Sequence, residues 1–300
     1  MFALLVMLLS YAMFIVFSFS EHLLDGGDKL EISQSTGAAV NVSFPNDVTG
    51  ERLQDEFDIM RFLLPPLCHL SADEKTRKIL IQNKGLLLLS EYYFHQWKIF
   101  HQHVKYDMDL DETEMCLVTL LGIFLNIIVT EPELVTSDQT FKEIGQHSMT
   151  SASQLLSSEG NVVILVNLVV IGLMLIRNHT EYDSVGLDFA ELPVFLKDSI
   201  YVLKEAKYLN CKEDLSPNYK KTQLALRCKE VWADISELWL LGLQVFSVLA
   251  SSLPLARELV KESGFTETIS AFLTSSGQAE ELSADEKDAL VDVLRKVSHL

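Results

Sequence analysis

His95, His101 and His103 stand on either side of Trp97 in one apolar stretch. Imidazoles at such spacings can share a metal ion, but a zinc site needs a third or fourth Cys, His or carboxylate at a matching interval. No HExxH pair is present, and no Cys falls at a zinc-like distance. The three histidines are expected at a soluble helix end rather than around a metal. Asp107, Asp109 and Asp111 imitate the first three ligands of a calcium-binding loop. The sixth position is Glu112 where the sharp turn needs Gly, and the twelfth is Val118 where a bidentate Glu belongs. This segment is expected to be a solvated loop whose acids suit the N-terminal dipole of the next helix. Phosphate-binding glycine loops, a dinucleotide fingerprint and a GxSxG elbow are all missing from the sequence. The sequence therefore nominates no catalytic, cofactor-binding or metal-ligating residue.

The four cysteines, Cys68, Cys116, Cys211 and Cys228, form no CxxC pair. Cys68 and Cys116 lie among apolar residues, where a thiol behaves as a small hydrophobe. All four are read as reduced, which suits the cytosol. Leu117, Leu120 and Leu121 match a short LxxLL docking pattern, but they sit inside an apolar helix and are assigned to the core.

The elements behind these residues are helical. The 300 residues are 48% hydrophobic, enough for a sizeable interior. The formal charge of −18 argues against nucleic acid and against anionic membrane surfaces, both of which select clustered Lys and Arg. Regular alternation of the β type is absent at useful length. Between Leu226 and Pro254, Trp232, Ile235, Leu238, Trp239, Gly242, Val245, Phe246 and Leu249 recur every three or four residues. That spacing places them on one helix face. Gly242 costs helix stability, so its use there predicts close approach by another helix.

Helix signals begin at Phe57. A stripe of Phe57, Met60, Leu63 and Leu64 is expected to stop at Pro65-Pro66. Ser71-Ala-Asp-Glu74 and Ser283-Ala-Asp-Glu286 read as capping boxes. Between them helices are predicted over 86–100, 112–129, 140–158, 161–177, 192–209, 219–253, 255–263 and 265–274. Residues 162–176 are apolar all round except Asn167, and are read as a buried helix rather than a membrane span. Leu80-Ile81, Leu155-Leu156 and Leu259-Val260 each precede a Gly (Gly85, Gly160, Gly264) by the same interval. This is the shape of helix, left-handed glycine cap, helix, as in stacked pairs of armadillo or HEAT type.

Residues 1–24 form an apolar N-terminal helix and 25–56 a polar, partly disordered linker, with the helical domain over 57–300. Residues 1–20 carry no charge. They have the length of a marginal membrane span, but no basic residue precedes them as a signal peptide would require. Signal peptide, membrane anchor and solenoid helix all remain open. Asn41 and Asn178 fit glycosylation sequons, which matter only in a secreted chain.

Three stretches carry a family resemblance: Ile59 to Trp97, with LLPPLCHL around Cys68; Gly122 to Leu134, GIFLNIIVTEPEL; and Trp232 to Gln244, WADISELWLLGLQ. In order and approximate spacing they resemble the C-terminal part of the neurochondrin family, over most of residues 55–275. Leu4 to Ala12, LLVMLLSYA, is similar to a mid-chain helix of that family, so the chain looks like the C-terminal portion of a longer protein. The resemblance implies an all-α, armadillo-type solenoid and a cytosolic scaffold without enzymatic activity or cofactors. It further implies roles in neurite outgrowth and synaptic plasticity, restraint of a calcium/calmodulin-dependent kinase, and binding of receptor cytoplasmic tails. The acidic exterior is expected to meet basic segments of protein partners, in the cytoplasm and in neuronal projections. The rival expectation is a membrane-anchored or secreted helical protein that uses residues 1–20.

Overall fold

The computed structural model describes residues 50–83, 85–106, 111–158, 160–182, 191–206, 223–274 and 283–298. The chain divides into two compact units, Met1–Gly50 and Glu51–Leu300, and the second holds the helices described here. The apolar segment 1–20, the sequon at Asn41 and most of the expected linker lie outside the described residues, as do Asp107, Asp109 and Cys211.

Thirteen α-helices are described, and no strand is present among these residues. They are α1 (Gly50–Ser71), α2 (Glu74–Gln82), α3 (Gly85–Tyr106), α4 (Asp111–Thr130), α5 (Pro132–Ser137), α6 (Gln139–Ser157) and α7 (Val162–Tyr182). After these come α8 (Leu192–Ala206), α9 (Gln223–Glu230), α10 (Trp232–Ser252), α11 (Pro254–Glu262), α12 (Phe265–Thr274) and α13 (Ala284–Ser298).

Helix α7 is the hub. It packs against α4, α5, α6, α8, α9 and α10, and Ile164, Leu168, Val170, Ile171, Leu173 and Ile176 are all fully buried. A helix apolar on every side has no face to give to water, so only a central position suits it. Of its two buried side-chain amides, Asn167 donates to the Val163 carbonyl of its own helix at 2.8 Å and Asn178 to the Ile128 carbonyl of α4. Three helical stretches, Glu112–Thr130, Val162–Thr180 and Trp232–Ser252, are long and apolar enough to cross a membrane by length and composition. In α7, 89% of that span is buried against the protein itself.

Side-chain contacts fix how α7 sits among its neighbours. Arg61 reaches Glu112, Cys68 lies at Gly122, and Asn126 donates to the Cys68 carbonyl and the Ser71 hydroxyl. Positions therefore rise together along α1 and α4, which run in the same direction. Asn161 bonds Glu114, and Asn178 bonds the Ile128 carbonyl, so α4 and α7 also run in parallel. At Gly242 of α10 an added Cβ would come 3.3 Å from Val170 of α7 and 3.0 Å from Leu203 of α8. This is the close helix approach that the glycine in the tryptophan stripe predicts. Ile235, Trp239, Val245, Phe246 and Leu249 of that stripe are buried, whereas Trp232 and Leu238 are only half-buried.

A second set of helices covers α4 and α7. Helix α3 packs on α6, α6 on α8, and α8 on α11. Ser153 donates to Asp198 at 2.6 Å between α6 and α8, and Lys204 donates to the Ser263 carbonyl at the end of α11.

Several local expectations are corrected. Pro65-Pro66 does not stop the first helix, which runs on to Ser71. The missing amides leave the Arg61 and Phe62 carbonyls without helical donors, on a side where Phe62 and Pro65 are exposed and water can serve instead. The helix also begins at Gly50, ahead of the apolar stripe. The first capping box is not used: Asp73, not Ser71, caps α2 by accepting from the Thr76 amide, while Ser71 turns back to the Cys68 carbonyl. The second is complete, with Ser283 accepting from the Glu286 amide and Glu286 from the Ser283 amide. The expected helix over 219–253 breaks at Val231, whose φ of −112° and ψ of 21° leave the helical region. The break gives α9 to α8 and α10 to α7. Helix α5, which opens with Pro132 at its first position, was not foreseen; proline there loses no helical bond.

Of the three glycine joints, only Gly264 is left-handed, at φ 62°. Gly85 and Gly160 serve a different need. A Cβ on Gly85 would come 2.6 Å from Leu80, and one on Gly160 would overlap Leu155. Each glycine lets the leucine at the end of the preceding helix fold over the turn.

Candidate functional site

A groove of about 1100 Å³ crosses the middle of α4, the first halves of α7 and α10 and the end of α1. Its floor is mainly apolar, with Thr119, Asn126 and Asn167 among the lining. Val118 and Gly122 come from α4, Val163 from α7, and Leu238 and Leu241 from α10, all half-buried; Met115 at one edge is 50% exposed. Gly122 is accommodated by Cys68, whose Sγ lies 2.9 Å from where a Cβ would stand. The residues reach one surface because α1, α4, α7 and α10 follow each other side by side.

The rim carries one sign of charge. Glu114, Asp234 and Glu237 line the groove, and among the described residues His69 is its sole basic-type residue and no Lys or Arg contributes. Asn161 donates to Glu114 at 2.6 Å and accepts from the Ile164 amide, thereby capping α7. Asp234 and Glu237 are exposed, and neither forms an ion pair with a described cation. Both fall in the first turns of α10, where the helix dipole favours carboxylates. Cys68, on the groove wall, has its thiol pushed up by burial and is a poor nucleophile.

A second cavity, of about 470 Å³, opens between α3 and α6. His147 is its most perturbed group: burial first, then His101, lowers its pKa to about 4. Its Nδ1 lies 2.9 Å from the Tyr93 hydroxyl and its Nε2 3.3 Å from Ser151 Oγ. Serine, histidine and tyrosine in a row invite comparison with a nucleophile–base pair. The proton logic runs the other way. Burial pushes the Tyr93 hydroxyl up, so it stays protonated and can donate to Nδ1. With Tyr93 as the donor, the imidazole proton resides on Nε2 and points at Ser151, which is 2% exposed within α6. Such a histidine donates to the serine instead of taking its proton. The ring stands edge-on to Trp97 at 4.9 Å, to Tyr93 at 5.3 Å and to Phe94 at 5.3 Å, and locks α6 onto α3.

The other nominated residues do not converge. His101 stacks edge-on to Trp97 at 5.4 Å, and His95 is half-buried on the same helix. Among the described residues no group of three or more His, Cys, Asp or Glu could hold a metal ion. Cys68, Cys116 and Cys228 are free thiols, and burial pushes Cys228 up to about 12. Leu117, Leu120 and Leu121 are fully buried, which removes the LxxLL pattern from docking. Asn178 is 2% exposed with its amide on the Ile128 carbonyl, so a sugar there is incompatible with this fold. Sequence reasoning passed over His147 and the acidic groove. His147 has no chemical partner nearby in sequence, and the groove draws on four separate helices.

These observations define a class: an all-helical protein built around one buried central helix, with an acid-edged apolar groove on its surface. The chain belongs to the neurochondrin family, whose family model matches residues 22–239. It is 36% identical over 208 residues to neurochondrin of Xenopus laevis, covering 69% of this chain and 28% of that protein. Against neurochondrin of Gallus gallus it is 31% identical over 252 residues, covering 83% and 34%. Against that of Homo sapiens it is 30% identical over 204 residues, covering 66% and 27%. The chain thus spans about a third or less of the curated relatives it matches. No solved structure matches the chain.

Proposed function

We propose that this protein is a non-enzymatic interaction scaffold, an armadillo-like solenoid whose acidic exterior receives basic segments of other proteins. The side-by-side succession of α1, α4, α7 and α10, of which the first three run in parallel, with α3, α6 and α8 packed over it, supports the solenoid reading of residues 57–300. The observation that carries the binding role is the groove, where apolar side chains share one surface with the carboxylates of Glu114, Asp234 and Glu237 and no described Lys or Arg lines it. The net charge of −18 extends the same preference over the whole chain.

Membership in the neurochondrin family supports the finer reading that the resemblance implies. It comprises a cytoplasmic role in neuronal projections, with effects on neurite outgrowth and synaptic plasticity. It also comprises restraint of calcium/calmodulin-dependent kinase signalling and binding of receptor cytoplasmic tails, whose basic segments suit an acidic surface. A membrane-anchored or secreted chain is the second reading, favoured only by the uncharged residues 1–20. The burial of Asn178 speaks against glycosylation at that sequon.

The scaffold reading is tested by titrating the full chain with fluorescent synthetic peptides of equal length and matched apolar content, one basic, one neutral and one acidic. The basic peptide should bind and the acidic one should not. Equal binding of all three would remove charge from the mechanism, and binding of none would remove the proposed role.

A further inference from the structure

We infer that the groove formed by α1, α4, α7 and α10 is the docking site for one kind of occupant, a partner segment that carries Lys or Arg among apolar side chains. This inference rests on the scaffold reading above and names its site. Two independent features of the groove demand the two halves of that chemistry.

The first is the floor. Val118, Val163, Leu238 and Leu241 are only half-buried, and Met115 stands half exposed beside them. On their inward faces the same helices bury apolar residues completely, as at Leu117, Leu120, Leu121, Trp239 and Phe246. An occupant that covers the floor therefore gains from apolar contact. Met115 adds an unbranched, polarizable side chain that adapts to different shapes.

The second is charge. Asp234 and Glu237 are open to solvent, have no cationic partner among the described residues, and lie beside Leu238 and Leu241 on one helix. Glu114 faces the same space from α4, held there by Asn161. An apolar segment without cations would desolvate the Asp234 and Glu237 carboxylates without offering them a charge partner, which is unfavourable. Nucleic acid, anionic lipid and a second copy of this acidic chain all bring further negative charge. A cationic segment satisfies floor and rim together.

The probe is a fluorescein-labelled peptide of alternating Leu and Arg, compared with an Arg peptide of equal charge whose leucines are replaced by Ser. Fluorescence anisotropy is read on the full chain, on Asp234→Asn/Glu237→Lys in the groove, and on Glu258→Lys/Glu262→Lys, two exposed acids of α11 outside the groove lining. All altered side chains are exposed, and equal helicity and melting temperature confirm the fold of each variant. The groove variant should weaken the Leu/Arg peptide by about tenfold or more, with the α11 variant within about twofold of the parent. The Ser/Arg peptide should bind more weakly than the Leu/Arg one. Equal weakening by both variants would overturn the groove and leave a diffuse acidic exterior as the binding surface. Equal binding of the two peptides would overturn the role of the floor. No binding of either peptide would overturn the basic-segment scaffold itself.

Discussion

The pKa of His147 turns one buried ring into a pH dependence. Its folded-state value of about 4 lies below the ordinary histidine range near 6.5. The unfolded chain therefore takes up the proton first, and stability is complete above about pH 6.5 and falls as pH drops towards about 4. The full difference corresponds to about 3 kcal/mol. Chemical denaturation of His147→Gln against the parent should show a shallower loss across that window, and identical pH profiles would contradict the assignment. Trp239 is the other residue on which much rests. It is fully buried, stacks edge-on to Trp232 at 5.2 Å, and donates its indole N–H to the Leu203 carbonyl at 2.9 Å. Trp239→Ala should cost about 3–5 kcal/mol in denaturant unfolding, and a loss under about 1 kcal/mol would contradict its placement. At this scale the sequence was legible for core residues and poor for chemistry. Periodicity marks Trp239 because its neighbours repeat it. Nothing marks His147, because Tyr93 belongs to a different helix and only folding brings it near.

Helices and their joints were read with mixed success, for identifiable reasons. The capping box at Ser283 forms with both of its bonds in place, whereas Ser71 is claimed by the Cys68 carbonyl and by Asn126. The break at Val231 left no trace, since Leu224, Cys228, Trp232, Ile235 and Trp239 keep helical spacing straight through it. Helix α9 packs mainly on α8 and α10 mainly on α7, and packing is a tertiary fact. Helix–helix approach was better signalled, because glycine inside an apolar stripe has few other uses. Gly172 extends that logic: an added Cβ would overlap the Phe195 ring of α8. Gly172→Ala should destabilise by about 1–3 kcal/mol through overpacking despite its better helix propensity. A melting temperature at or above the parent's would show that α8 does not press on α7 there.

Across the whole molecule, the all-helical class followed from composition and period, and the central place of residues 162–176 followed from a helix with no polar face. The groove did not follow, since its residues come from four helices whose lateral order the sequence does not state. Taken together, buried helices supply rigidity and the exterior supplies charge. In the proposed scaffold role this charge does the recognising. The most direct measurement is the affinity of the full chain for the basic peptide between about 50 and about 500 mM salt, over which screening shortens the reach of exposed charges severalfold. The affinity should fall steadily across that range, and an affinity unchanged by salt would contradict recognition by the acidic exterior.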